Sequence, residues 1–323
     1  MRTQMRIKVP TGDILVVEGQ RGLLELLSIG DYGAAVNLNQ DREVPDGLPL
    51  LPLEEKWVIT ISTQYGCSMG CVFCDVPKVG PGRNASLLDM LGQVDAGRAL
   101  HPEVLSTRRL NVHFARMGEP TWNPEVLTTA RLLRDHYPGF KVHPVVSTMM
   151  PRHNPILGPY LNDWMDLKNR YFQGEAGLQL SINSTSDEER DEMFRGQSLS
   201  LREISRVLSH LDFPRGRKIT LNFAVAGYTI DPRRLLRLFD PAQCIVKLTP
   251  MHRTTTALEN GIETAGDYTT THPYKHHAEA LREAGFEVLV FIASKDEDLG
   301  RITCGNAILS GSRPLVPHEV FQC

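Results

Sequence analysis

Cys67, Cys71 and Cys74 stand in the run Gln64-Tyr65-Gly66-Cys67-Ser68-Met69-Gly70-Cys71-Val72-Phe73-Cys74. Their CxxxCxxC spacing offers three thiolates to one 4Fe-4S cubane and leaves the fourth iron without a protein ligand. Clusters that only carry electrons are held by four cysteines, so a set of three implies an iron kept open for another ligand. S-Adenosylmethionine is the expected guest. Its amino and carboxylate groups chelate such an iron, and an electron from the reduced cluster cleaves its sulfonium to give a 5'-deoxyadenosyl radical. Two plainer explanations compete: a structural zinc site and three unrelated thiols. A closed zinc site needs four ligands, commonly as two close pairs, and no paired Cys or His set in the sequence completes one.

The elements that must position this loop are legible in the pattern. From Trp57 onward strands and helices alternate, as parallel βα units do. Strands are expected over residues 57–62, 110–116, 141–147, 177–183, 218–224 and 243–249, with a further one near 286–292. Six such units give an α/β fold of the partial, open parallel β/α barrel type, assigned to residues 56–323. Residues 1–55 form a small β-rich N-terminal extension, in which 5–9 and 14–17 flank the hairpin signal Pro10-Thr11-Gly12-Asp13 and 45–49 is a connector. Ser86 with Asp89 approximates a capping box before Leu87, Leu91 and Val94. Ser200 with Glu203 does the same before Leu201, Ile204, Val207, Leu208 and Leu211. Tyr274, Ala278 and Leu281 mark another helix, stopped by Gly285.

In parallel βα barrels chemistry sits at the C-terminal ends of the strands, and the cysteine loop begins where the first strand stops. The second strand ends in Arg116-Met117-Gly118-Glu119-Pro120, where backbone carbonyls and the Glu119 carboxylate can meet the ammonium of the cofactor's methionine end. Ser147-Thr148 closes the third strand and Ser181-Ile182-Asn183-Ser184 the fourth, placing small polar side chains where ribose and carboxylate groups need donors. Singly these are ordinary strand ends; the inference rests on four successive tips together.

With these pieces in order, the chain resembles the Cfr/RlmN-type radical S-adenosylmethionine adenosine methyltransferases, which methylate an adenine ring carbon in ribosomal or transfer RNA. The similar segments are Ser62 through Cys74, Phe114-Ala115-Arg116-Met117-Gly118-Glu119-Pro120 with Asn123, Ser147-Thr148, Leu180-Ser181-Ile182-Asn183 with the acidic run 187–192, and 295–306 with Cys304-Gly305. The resemblance implies that Phe73 lies beside the adenine of the cofactor and that Cys304 matches the family's methyl-carrying cysteine. In such enzymes a second cofactor molecule activates that methyl group as a radical, which adds to the adenine carbon. Another cysteine, on strand one, then breaks the protein-RNA crosslink. An electron donor such as flavodoxin or ferredoxin is implied as well.

The chain departs from this pattern in three places. Thr60 stands where the family carries the strand-one cysteine, and a hydroxyl cannot form the disulfide that resolves a crosslink. Cys244 and Cys323 are the remaining thiols, the first read as a buried apolar residue and the second as an idle tail thiol. Lys247 and His252 replace residues that are typically asparagine in the family. Only about 55 residues precede the first barrel strand, too few for the family's helical RNA-binding domain. His272, His276 and His277 are placed around a surface helix, 295–298 is read as a solvated loop, and the basic run Arg215-Gly216-Arg217-Lys218 as a solvated turn.

Composition narrows the partners. A net charge of -3 weighs against a dedicated nucleic-acid binder, whose affinity rests on clustered Lys and Arg. No apolar run approaches the roughly 20 residues of a membrane helix, and the N-terminus lacks a signal-peptide core. A soluble cytoplasmic protein is expected, with a small-molecule or nucleotide substrate favoured over a large RNA. The leading expectation is transfer of a methyl or methylene group to an sp2 carbon of a nucleobase-like substrate through Cys304. Radical hydrogen abstraction from a small molecule without methyl transfer is the second expectation, and a cluster-bearing binding protein without turnover is the third.

Overall fold

A computed structural model describes residues 1–32, 49–262, 272–292 and 295–322. Three antiparallel strands open the chain: β1 (Arg2–Val9), β2 (Gly12–Gly19) and β3 (Gly22–Ile29). The expected hairpin turn falls at Pro10-Thr11, with Val9 paired to Gly12. β3 then pairs antiparallel with β4 (Trp57–Ile61). A two-stranded ladder, β5 (Gln64–Tyr65) with β6 (Arg83–Asn84), brackets the cysteine loop. From β4 the main sheet continues through the parallel strands β7 (Thr107–Phe114), β8 (Phe140–Thr148), β9 (Gly177–Ser181), β10 (Ile219–Val225), β11 (Cys244–Pro250) and β12 (Glu287–Val290). At the other edge β13 (Glu319–Gln322) pairs with β1. The order is β12-β11-β10-β9-β8-β7-β4-β3-β2-β1-β13, so the sheet is open and the N-terminal meander continues it directly. Each strand expected from the sequence is present within three residues of its expected bounds.

Helices α1 (Leu87–Arg98), α2 (Glu125–His136), α3 (Leu157–Asp166), α4 (Asp187–Met193), α5 (Leu201–Leu208), α6 (Pro232–Leu238), α7 (Thr255–Glu259), α8 (Lys275–Glu283) and α9 (Lys295–Leu299) fill the connections. Both capping boxes form: Ser86 with Asp89 at α1 and Ser200 with Glu203 at α5. Side chains alternate along a strand, and the outward set is apolar. Ile59, Ile61, Val112, Phe114, Val146, Leu178, Leu180, Leu221, Phe223, Val246 and Leu248 bury that face in the main core with the helices. Burial of each contributes roughly 1.5–3 kcal/mol relative to exposure. The opposite, concave face carries Thr60, Asn111, His113, His143, Ser147, Gln179, Ser181, Asn222 and Lys247 in register. A polar concave face on an otherwise well-packed sheet is the space the fold leaves for ligands.

A second apolar cluster lies on the meander, where Ile7, Val9, Ile14 and Leu27 pack against Ile302, Ile308 and Val316. The segment that bears Cys304 is thus seated on the N-terminal strands. β3 is buried on both faces, which removes the alternation that would have announced it in the sequence, and its central residue is a carboxylate. Glu25 is fully buried and paired with Arg116 just beyond the end of β7. The Arg116 guanidinium also donates to the carbonyls of Arg301 (3.0 Å) and Thr303 (3.5 Å), and Glu25 accepts from the Leu309 amide at 3.1 Å. Removing one partner of a buried pair strands the other charge, at a cost of about 3–5 kcal/mol. Glu25→Ala should lower the unfolding free energy by that amount in denaturant titration; a change below about 1 kcal/mol, the range of an exposed pair, would show that the pair is not the brace described.

Candidate active site

The cysteine loop leaves β4 and is pinned on every side by backbone hydrogen bonds. The amides of Thr63 and Gln64 donate to Met117 O, Cys67 N donates to Gly80 O at 3.2 Å, and Val72 N donates to Met193 O at 3.0 Å. Gly118, at φ +98°, sits so close to Gln64 that a Cβ there would fall 2.6 Å from the Gln64 Cβ, so the Gly-Glu-Pro turn can press against the cysteine loop only as glycine. Met69, Met149, Met193 and Phe194 make a small apolar cluster on which Cys67, Cys71 and Phe73 pack. Phe73 meets Phe194 edge to face at 5.8 Å.

The three thiols share one electrostatic environment. Burial pushes the Cys67 thiol up to about 11. Burial, followed by the proximity of Cys74, Cys67 and Glu119, raises Cys71 further, and burial with Cys67 nearby raises Cys74. Raised pKa values keep these half-buried thiols protonated unless a cation is bound, and a metal group deprotonates coordinating thiols outright. Among the described residues no three His, Cys, Asp or Glu side chains gather in a way that could hold a single ion. A cubane distributes three thiolates over three irons and asks for no such convergence. The donor set therefore fits a 4Fe-4S cluster.

Glu119 is buried, and protein donors already satisfy much of its carboxylate. Oε1 accepts from Thr121 N (3.2 Å) and Thr121 Oγ1 (2.7 Å), and Oε2 accepts from Met149 N (3.0 Å). Burial raises its pKa, and the hydrogen bonds from Thr148, Met149 and Thr121 oppose that rise. It lies close enough to Cys67 and Cys71 to raise both thiols. Ser147 and Ser181 lie on the concave face, each partly exposed. Asn183 closes the fourth tip with φ +59°, and its Oδ1 accepts from Ala224 N at 3.0 Å, tying β9 to β10. Buried Arg190, from the acidic run on α4, supports the same tip through the carbonyls of Ser181 and Ile182.

Cys304 is exposed, between buried Thr303 and half-buried Gly305, and its loop docks on the cysteine loop. Asp75 N donates to Gly305 O at 2.8 Å, and Cys304 is near enough to raise the Cys74 thiol. Thr254 Oγ1 reaches Phe73 O at 2.8 Å. Asp75 is buried and accepts from Thr256 N (2.8 Å), Thr256 Oγ1 (2.7 Å), Thr255 N (3.2 Å) and Ser312 Oγ (2.8 Å). This clamp leaves no local signature in the chain, because its partners lie some 180 and 237 residues away. His252, 3.1 Å from Asp298, joins the same loop, since Asp298 also accepts from Thr303 Oγ1.

Several expectations are corrected. Residues 295–298 are not a solvated loop: they begin α9, and Asp298 is buried. Arg217 is not part of a solvated turn, for its guanidinium lies 3.1 Å from where a Gly177 side chain would begin, on the concave face. Cys244 points into the main apolar core, as its apolar reading anticipated, with its thiol pushed up to about 12 by burial. Cys323 and most of the 45–49 connector lie outside the described residues. Thr60 stays on the concave face beside His113.

No protein-family profile matches the chain. It is 30% identical over 262 residues to the dual-specificity RNA methyltransferase RlmN of Sorangium cellulosum, covering 79% of this chain and 62% of that protein. It is 28% identical over 215 residues to the RlmN of Anaeromyxobacter dehalogenans, covering 62% of this chain and 54% of that protein. The chain thus spans less than two thirds of the length of these curated relatives. A radical SAM methyltransferase from Sphaerobacter thermophilus has the same fold, with a TM-score of 0.63 over 92% of this chain and 77% of that one at 20% identity. The resemblance seen in the motifs therefore extends along most of the chain, and the open parallel sheet is a fold shared with that solved structure.

Burial, then the cations Lys247, Arg217, Lys56 and Arg109, push His113 down from 6.5 to about 3. An unfolded histidine takes its proton near 6.5, so between about 6.5 and 3 the unfolded chain binds more protons and stability falls as pH falls. His113→Asn should flatten the decline of stability with pH in that window by up to one proton. An unchanged slope would place the linkage on other groups.

Proposed function

We propose that the chain is a radical S-adenosylmethionine enzyme of the Cfr/RlmN branch that transfers a methyl or methylene group to an sp2 carbon of a nucleobase-like substrate. In this reading Cys67, Cys71 and Cys74 hold a 4Fe-4S cluster, and Cys304 carries the transferred group. The observation that carries it is the docking of the Cys304 loop on the cluster loop through Asp75 and Gly305. A thiol set near Cys74, exposed between buried Thr303 and Asn306, is held at the mouth of the site rather than stored in a core.

When bound, the cluster and S-adenosylmethionine supply the electron and the deoxyadenosyl radical. The chain's own residues bind and orient. Gly118 and Glu119 offer backbone and carboxylate to the methionine ammonium, with Thr121 and Met149 fixing the carboxylate's rotamer. Ser147, Ser181 and Asn183 would hold the ribose and carboxylate of the cofactor, and Phe73, backed by Phe194, would pack against its adenine. An electron donor such as flavodoxin or ferredoxin completes the reaction.

The curated relatives are named for RNA. For this chain we favour a nucleotide or small-molecule substrate, or an RNA presented by a partner, because a net charge of -3 does not provide the phosphate neutralisation that binds large RNA. A second reading, radical hydrogen abstraction without methyl transfer, is supported by Thr60: a hydroxyl there cannot resolve a crosslink, and Cys244 faces away from the site.

The reconstituted protein should carry one cubane and release 5'-deoxyadenosine with dithionite and S-adenosylmethionine, measured by iron analysis and chromatography. Cys71→Ala should lose both; full cluster content in that variant would sink the assignment. Glu119→Gln should keep cluster absorbance while cofactor cleavage drops about tenfold or more, the scale of a lost charge-assisted hydrogen bond. Wild-type cleavage in Glu119→Gln would reduce the turn to a structural role.

A further inference from the structure

The concave face carries more positive charge than the proposed chemistry uses. Lys247, on β11, is in register with Asn222 and, through β10, with Ser181 at the proposed cofactor tip. Its ammonium lies over the Phe291 ring at 4.7 Å, and it is an electrostatic neighbour of Cys304. Arg217 occupies the space beside Gly177, with Nη1 3.4 Å from the Glu175 carbonyl. Arg109 Nε donates to Asn111 Oδ1 at 3.1 Å. Among the described residues none of these three cations is ion-paired with a carboxylate. Lys56 has Asp31 at 2.8 Å. The Glu175 carboxylate, which is close to Arg217, lies 3.2 Å from His143. His113 lies near the group: burial first, then Lys247, Arg217, Lys56 and Arg109, lower its pKa, while the carboxylates that act on Lys247 and Arg217 are Asp31 and Glu175, each already engaged with Lys56 or His143.

We propose that Lys247, with Arg217 and Arg109 behind it, is the seat of a phosphate monoester on the substrate, so that the substrate is a nucleoside monophosphate bound within the concave face. This deepens the function proposed above and rests on it for the nucleobase. A phosphate monoester brings close to two negative charges and three acceptor oxygens, which match several uncompensated cations better than one carboxylate does. Arginine's fork suits phosphate oxygens and lysine acts on them as a point charge. Asn222, on the same face and in register with Lys247, adds a neutral donor. The departure at Lys247 then acquires a reason: the phosphate is held on the same strand face that presents the base to Cys304.

The test is binding, with the anaerobically reconstituted holoenzyme and no reductant. AMP, adenosine and inorganic phosphate are titrated by calorimetry. AMP should bind at least about tenfold more tightly than adenosine, as expected when a charge-assisted contact is lost, and inorganic phosphate should compete with AMP. In Lys247→Gln the ratio should fall toward one, while Lys247→Arg should retain most of it. Should Lys247→Gln fail to fold by circular dichroism, Lys247→Met, which keeps an apolar stem over Phe291, replaces it. Equal affinities for AMP and adenosine in the wild type overturn the proposal, as does an unchanged ratio in the Lys247 variants. A Lys247→Gln defect confined to S-adenosylmethionine binding also overturns it. Failure of the wild type to cleave S-adenosylmethionine would count against the enzyme reading alone, because the phosphate result is obtained without turnover.

Discussion

The buried Arg116–Glu25 pair is the contact on which the arrangement of the site depends. Glu25 comes from the middle of the N-terminal meander, and Arg116 opens the turn that carries Gly118 and Glu119. The guanidinium's remaining donors reach the carbonyls of Arg301 and Thr303, immediately before Cys304, and the carboxylate's second oxygen takes the Leu309 amide beyond it. One ion pair thus ties the Gly118-Glu119 turn, the sheet extension and the thiol-bearing loop into one unit. Charge burial is expensive unless every remaining donor and acceptor is met, and here the backbone of the C-terminal loop meets them. The loop cannot detach without exposing a bare pair in the core.

Asp75 does the same work from the opposite side. It follows Cys74, the last of the three cysteines, and gathers donors from the start of α7 and from Ser312, while its amide holds Gly305. The C-terminal segment is therefore fastened to the strand-two turn on one flank and to the cysteine loop on the other. Cys304 is left as the exposed residue between two buried anchors, Thr303 and Asn306. The meander takes its place in this scheme as the platform beneath the segment, with Ile7, Ile14 and Leu27 packed on Ile302 and Ile308.

Local chemistry wrote much of this into the sequence. The strands and capped helices were legible because hydrophobic period, turn residues and cap residues all act within a few positions, as at Ser86 with Asp89 and Ser200 with Glu203. The cysteine spacing and the Gly118-Glu119-Pro120 turn were legible because the chemistry constrains neighbours in the chain. What escaped was long-range. β3 has no alternation because both its faces are buried, and Glu25 in its centre reads as a surface charge until Arg116 is placed beside it. Asp75, Asp298 and Arg217 look like solvated residues in the sequence; the two aspartates are buried and Arg217 half-buried, with contacts that include partners far along the chain. The excess charge around Lys247 is a property of register across five strands, which no single segment displays.

The central claim is that the thiol held against the cluster loop takes part in group transfer. Peptide mass analysis of Cys304, after anaerobic incubation of the wild-type protein with S-adenosylmethionine, tests it most directly. The account predicts that the Cys304 peptide gains the mass of one methyl group. An unmodified Cys304, with turnover unchanged in Cys304→Ala, would contradict it and leave radical chemistry without methyl transfer in its place.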